Sequence, residues 1–189
     1  LLAGAGFPVR AVDRDAGQVA WLNALARRLQ LPLDAEVVDL EKGMADLGEE
    51  EWELVLVFNY LHRPLVPALV RALKPGGVLG VEEHRIPSAR DQDLTASTGY
   101  VLEGYVIQLA QHAGFILEES SEINANPKDT ADHPLGVWML PPNLRAPAAG
   151  DPLAATYSAD TYKAIGESDR MTLRFRKPAA PAPATPPAQ

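Results

Sequence analysis

No cysteine occurs among the 189 residues. Disulfide scaffolds, thiolate nucleophiles and cysteine-ligated zinc or iron–sulfur sites are therefore excluded together. No apolar run approaches the roughly 20 residues that cross a bilayer, and the N-terminal residues lack the basic-then-apolar layout of a signal peptide, so a cytoplasmic location is expected. Positive charge is in deficit: 17 Lys and Arg stand against 25 Asp and Glu, for a net charge of −8 and a pI near 5.0. Such a surface repels phosphate backbones and anionic lipid unless basic residues gather locally. Arg174, Arg176 and Lys177 in the last strand candidate form only a weak patch, so neither a nucleic acid nor a membrane is expected as a partner. A Gly-x-Ser-x-Gly elbow, a His-Glu-x-x-His pair and a Walker lysine are all missing, which leaves hydrolase and nucleotide-triphosphatase readings without support.

The composition that is present, 47% apolar and 22% charged with a mean hydropathy of −0.10, is that of a globular domain with a real core. From Phe7 the chain alternates short β-branched runs with helical patterns. Phe7 to Val12 reads as a strand ending at Asp13. Asp15 is a helix N-cap with Gln18 three residues on, and Val19, Leu22, Ala26 and Leu29 follow at helical spacing. Ala35 to Val38 is a second strand, ending at Asp39. Glu53 to Phe58 is a near-continuous apolar run, expected of a strand buried on both faces, and it ends at Asn59. A helix over Leu65 to Leu73 must begin near Pro67, and Lys74-Pro75-Gly76-Gly77 stops it before a strand over Val78 to Val81 that reaches Glu82 and Glu83. This alternation predicts a mainly parallel α/β sheet covered by helices.

Further on, Tyr100 to His112 reads as a helix closed by Gly114. Phe115 to Ile123 and Arg170 to Arg176 are strand candidates separated by more than 40 residues rich in Pro, Asn, Asp and Gly. A gap that long is expected to be a lid, a binding loop or an insertion. Residues 178–189 hold five Pro and five Ala and are expected to be an extended tail.

All four parallel strand candidates end in polar residues: Asp13, Asp39, Asn59, and Glu82 with Glu83. Ligands of open parallel sheets bind beyond the carboxyl ends of the strands, so these tips are expected to converge on one cleft. Asp13 is placed to accept the hydroxyls of a ribose. Asp39 could accept from an adenine amino group with Leu40 against the base, or, as an aspartate ahead of a helix, simply cap that helix. Asn59 and Tyr60 are candidates for the cleft floor, and His62 and His84 for moving a proton near neutral pH. Adjacent residues on an extended chain point to opposite faces, so no metal site is expected from His84 and its two acidic neighbours. His112 and His133 read as structural or solvent-facing. Gly4 and Gly6 precede a strand where a phosphate loop must follow one, so they read as a helix exit.

With an acid after each of two early strands, an apolar strand closing on Asn59, and Leu73-Lys74-Pro75-Gly76-Gly77-Val78 ahead of the next, the chain resembles a class I S-adenosylmethionine-dependent methyltransferase. The stretches Asn126-Pro127-Lys128-Asp129 and Ala164 to Pro178 are similar to a group of predicted bacterial members. The resemblance covers about residues 7 to 178. It implies a Rossmann-like, mainly parallel sheet with helices on both faces and a C-terminal antiparallel strand pair, in a domain over residues 1–177 with a substrate lid at about 124–169 that carries Trp138, Met139 and Tyr162. It implies S-adenosylmethionine as cofactor, with Asp13 on the ribose, Asp39 and Leu40 around the adenine, and Asn59 with Tyr60 lining the methyl-transfer cleft. No prolines follow Asn59, so amine or nucleobase methylation is not implied, and a small-molecule acceptor is expected. The family's first strand and glycine-rich loop have no counterpart in the sequence, and weakened cofactor binding or incomplete folding is expected of a chain without them. Two alternatives stay open: an NAD(P)-dependent oxidoreductase, which would also use Asp13, and a non-catalytic nucleotide-binding or scaffold domain. The residues specify neither the acceptor nor an oligomeric state.

Overall fold

The computed structural model describes residues 1–42, 46–60 and 62–179, so the predicted tail lies, from residue 180 on, outside the described residues. The chain divides into two compact units, Leu1–Leu47 and Gly48–Gln189.

In the first unit β1 (Val9–Asp13), α1 (Ala16–Leu29) and β2 (Leu33–Val37) form a β-α-β element, and the two strands pair in parallel with Val9 opposite Leu33 and Asp13 opposite Val37. Asp15 caps α1, its Oδ1 accepting from the backbone N–H groups of Gly17 and Gln18 at 2.7 and 3.0 Å. Asn23 ties the helix to the strand: its Nδ2 donates to the Ala35 carbonyl while its Oδ1 accepts from the Ala35 N–H. Val19, Ala26 and Ala35 are buried. Leu29, predicted on the same stripe, is 54% exposed in the last turn, where Gln30 adopts a left-handed conformation and ends the helix. Ala3–Ala5 form a single 3-10 turn closed by Gly6 at φ 89°.

The second unit holds β3 (Trp52–Phe58), α2 (Val66–Ala72), β4 (Leu73–His84), α3 (Glu103–His112), β5 (Ile116–Ser121), α4 (Ala159–Ile165) and β6 (Arg170–Arg176). Its sheet runs in the order β3-β4-β6-β5. β3 and β4 are parallel, and β6 is antiparallel to both of its neighbours. The predicted antiparallel pair is thus β5 with β6. Pro67 lies in the first turn of α2, as the sequence requires.

Two expectations are corrected. β3 is not buried on both faces: Leu54, Leu56 and Phe58, which share one face of the strand, are 37%, 43% and 58% exposed, and β3 ends its sheet, pairing only with β4 among the described residues. β4 begins at Leu73 rather than Val78. The Lys74 to Gly77 turn is taken into the strand by a register shift against Trp52 to Leu54. Gly76 supplies a φ of +78°, and a Cβ on Gly77 would stand 2.8 Å from the Lys74 carbonyl oxygen. The core lies instead on the middle strands, where Leu73, Leu79, Met171, Leu173 and Phe175 are each 3% exposed or less.

The segment between β5 and β6 contains α4 and two short 3-10 turns, Gly136–Met139 and Pro152–Ala155. Met139 and Leu140 are buried, and Val137 and Ala131 pack on Tyr100 with Trp138 and Ile86 beside them. The basic residues at the end of β6 and just after it are neutralised by neighbours: Arg174 pairs with Glu118 and Glu119, Arg176 with Glu118, and Lys177 with Glu50. Among the described residues no helix is long and apolar enough to cross a membrane.

Candidate active site at the carboxyl ends of the strands

Because β3 and β4 are parallel, their exits lie side by side. Phe58 is opposite Glu82, and the Asn59 N–H donates to the Glu82 carbonyl at 2.8 Å. Asn59 sits at φ +49°, a left-handed conformation that asparagine accepts more readily than most residues, and there the chain leaves the sheet. Three consecutive residues of β4 then meet three different environments. The Glu82 carboxylate accepts from Arg170 at 2.6 Å and from Asn124 at 2.9 Å. Glu83 is 4% exposed, and its carboxylate accepts from the backbone N–H groups of His84 and Tyr60. Burial pushes its pKa up to about 7 against the pull of those two donors. His84 places Nδ1 2.5 Å from the Ser168 hydroxyl and turns its ring edge-on to Tyr100, with 6.3 Å between centroids. Burial, aided by the Arg170 cation, brings the imidazole down to about 4, so the ring is neutral at physiological pH.

A buried carboxylate holds this arrangement from behind. The Asp129 side chain is 0% exposed and accepts four hydrogen bonds: from the Tyr100 hydroxyl at 2.9 Å, the His133 ring at 2.9 Å, and the Ala131 and Asp169 N–H groups at 2.9 and 2.8 Å. Burial and the adjacent carboxylate raise the Tyr100 phenol above its ordinary value, which keeps it a donor. The bond to the Asp169 backbone fixes the residue next to Ser168, and Ser168 in turn faces His84. Arg85 closes the group by bridging Glu103, Glu122 and Asp169.

At the carboxyl end of the first unit, the Val38 N–H donates to the Asp13 carbonyl. Asp13 and Asp39 therefore lie at the same end of the β1–β2 pair. Oδ1 of the exposed Asp13 accepts from the Asp15 N–H at 2.8 Å, while Oδ2 makes no hydrogen bond among the described residues. That oxygen is available to accept a hydrogen bond. Asp39 is more occupied: its oxygens accept from the Glu41 N–H and from Lys42 at 3.1 and 3.0 Å, and the Lys42 bond holds its carboxyl below the usual range. No helix follows Asp39 before β3 among the described residues, so these bonds close a turn and do not cap a helix. Leu40 beside it is half-buried.

Of the predicted site residues in the second unit, Asn59, Tyr60, Glu82, Glu83 and His84 come together in one cluster. His62 stands at its margin, its ring 6.2 Å from that of Tyr60 and its ring nitrogens without a hydrogen bond among the described residues. His133, read as structural or solvent-facing, is structural. Asp129, Ser168 and Arg170 were not singled out. They lie in the stretches at 126–129 and 164–178 that are similar to a group of predicted bacterial methyltransferases, and that similarity was the available signal.

No protein-family model matches the chain, and no curated protein matches its sequence. Solved structures do match its fold. A SAM-dependent methyltransferase from Methanosarcina mazei superposes with a TM-score of 0.58 at 12% identity, over 95% of this chain and 86% of that one. The geranyl diphosphate C-methyltransferase of Streptomyces coelicolor A3(2), solved with Mg2+, geranyl diphosphate and S-adenosyl-L-homocysteine, gives 0.55 at 16%, over 91% and 63%. The (4+2)-cyclase SpnF gives 0.62 at 18%, over 92% and 67%. The chain has the class I S-adenosylmethionine-dependent methyltransferase fold. A cyclase sharing that fold shows why the reaction must be argued from the site.

Proposed function

We propose that this protein is an S-adenosylmethionine-dependent methyltransferase acting on a small-molecule acceptor. The observation that carries the reading is the placement of polar residues at the carboxyl ends of both parallel pairs, in a fold whose solved relatives include methyltransferases. Asp13 would hold the cofactor ribose through its free oxygen, and Leu40 with Asp39 would frame the adenine. Asn59 and Tyr60 would line the transfer cleft. The cofactor, when bound, supplies an electrophilic methyl on a sulfonium, so alignment and exclusion of water do much of the protein's work. His84 is the better candidate than His62 for handling a proton, because Ser168 fixes its ring and its Nε2 makes no hydrogen bond among the described residues. A neutral imidazole so held can offer one ring nitrogen to accept a hydrogen bond or a proton from an acceptor.

The test is thermal-shift titration. S-adenosylhomocysteine is expected to raise the melting temperature and NADH to leave it unchanged, with the shift lost in Asp13→Ala. Stabilisation by NADH alone would overturn the reading in favour of an oxidoreductase.

A further inference from the structure

Arg63 follows His62 at the margin of the cluster and opens the 3-10 turn Arg63–Leu65 that leads into α2. Its guanidinium is held by two neutral oxygens: Nη1 donates to the hydroxyl of Tyr105, in α3, at 2.7 Å, and Nη2 donates to the Leu94 carbonyl at 2.6 Å. No carboxylate pairs with it among the described residues. A guanidinium carries five N–H donors. Three of them therefore stay available on a side chain that is exposed.

The other arginines lack one half of this combination. Arg85 faces Glu103, Glu122 and Asp169, and Arg170 faces Glu82 and Glu167, so the two other cations of the cluster are already answered by carboxylates. Arg27, Arg28, Arg71 and Arg145 have no carboxylate partner, but their side chains also make no hydrogen bond among the described residues, so nothing fixes their direction. Arg63 is both oriented and without a counter-charge. Orienting an arginine costs side-chain entropy, and here that freedom is lost before any ligand arrives. The chain as a whole carries a net charge of −8 and so repels anions. A local surplus of positive charge at the margin of the cluster offsets that repulsion, and the planar fork of donors matches the paired oxygens of a carboxylate or a phosphate. A cationic molecule would meet repulsion at the same place.

We propose that Arg63 is a specificity-determining residue that binds an anionic group, a carboxylate or a phosphate, on the acceptor. The assignment to the acceptor rests on the methyltransferase reading. The test is an NMR titration of the ¹⁵N-labelled chain with benzoate, phenyl phosphate and benzyl alcohol at constant ionic strength, read at the arginine Nε–H and the His62 and Leu94 amide resonances. S-adenosylhomocysteine is titrated in parallel, and both anions are titrated again in its presence. At least one anion is expected to move the Arg63 Nε–H at a concentration about tenfold or more below that needed at Arg28, with benzyl alcohol moving neither, and the tighter anion identifies the group as carboxylate or phosphate. Arg63→Gln is expected to weaken that anion about tenfold or more, read at the two amides, and Tyr105→Phe, which removes one of the oxygens that orient the guanidinium, about threefold. Arg63 and Arg28 responding at the same concentration, an equal response to benzyl alcohol, or an anion titration unchanged in Arg63→Gln would overturn the proposal. S-adenosylhomocysteine binding with no selective anion response at Arg63 sinks the Arg63 proposal alone. Competition between S-adenosylhomocysteine and the anions puts the cofactor's carboxylate on Arg63 and overturns the assignment to the acceptor. A selective anion response without S-adenosylhomocysteine binding sinks the methyltransferase reading and the assignment to its acceptor.

Discussion

Glu83 and His84 are neighbours in one strand whose protonation equilibria are displaced in opposite directions by burial, and their effects on stability should cancel until one of them is removed. Glu83 rises from 4.5 to about 7 in the folded chain. Between those values the folded state keeps a proton that the unfolded state has released, so this contribution is complete below pH 4.5 and is lost as pH rises toward 7. His84 falls from 6.5 to about 4. Between those values the unfolded state holds a proton that the folded state rejects, so this contribution grows as pH rises from about 4 to 6.5. Each proton changes stability by about 1.4 kcal/mol per pH unit within its window. Between pH 5 and 6.5 the two slopes oppose each other, and the pair should be nearly flat. Glu83→Gln should leave stability rising across that interval by on the order of 1–2 kcal/mol, and His84→Gln should leave it falling by a similar amount. Urea unfolding at pH 5.0, 5.75 and 6.5 for the three proteins measures all three slopes. If both variants followed the wild-type profile, the burial argument for these two groups would be refuted.

Asp129→Asn exchanges one of the two accepting oxygens for a donor, so donors that now meet Asp129 would be left unpaired. A loss of about 3 kcal/mol is expected, seen as a fall in melting temperature of roughly 6–12 °C at this chain length. A change below about 0.5 kcal/mol would contradict the role given to Asp129. Gly77→Ala brings a methyl onto the Lys74 carbonyl and should cost about 1–3 kcal/mol in chemical denaturation, whereas Gly4→Ala, with open space around it, should be within about 0.5 kcal/mol of wild type. Asp15→Ala removes both cap bonds of α1 and should lower stability by about 1 kcal/mol, with amide exchange accelerated in the first turn of that helix.

The elements were legible where local signals agreed. Asp15, Pro67 and Gly114 marked helix ends through hydrogen bonding and backbone preference alone, and β6 appears over the residues expected, Arg170 to Arg176. The apolar run in β3 misled because it reports hydrophobicity and not position in a sheet. An edge strand with Leu54 and Phe58 exposed is written like a central one. In the site, residues at strand tips were readable from topology, since a parallel pair must place its exits together. Ser168 and Asp129 were not. They reach the cluster across separations of 84 residues to His84 and 29 to Tyr100, and no periodicity encodes a contact of that kind.

The central claim, that the carboxyl ends of the parallel strands carry the cofactor, is tested most directly by mapping S-adenosylhomocysteine on the amide spectrum of the protein. Perturbed resonances should concentrate at Asp13 to Asp15, Asp39 to Glu41, and Asn59 with Tyr60. Perturbation confined to the opposite ends, at Val9, Leu33 and Trp52, would contradict it.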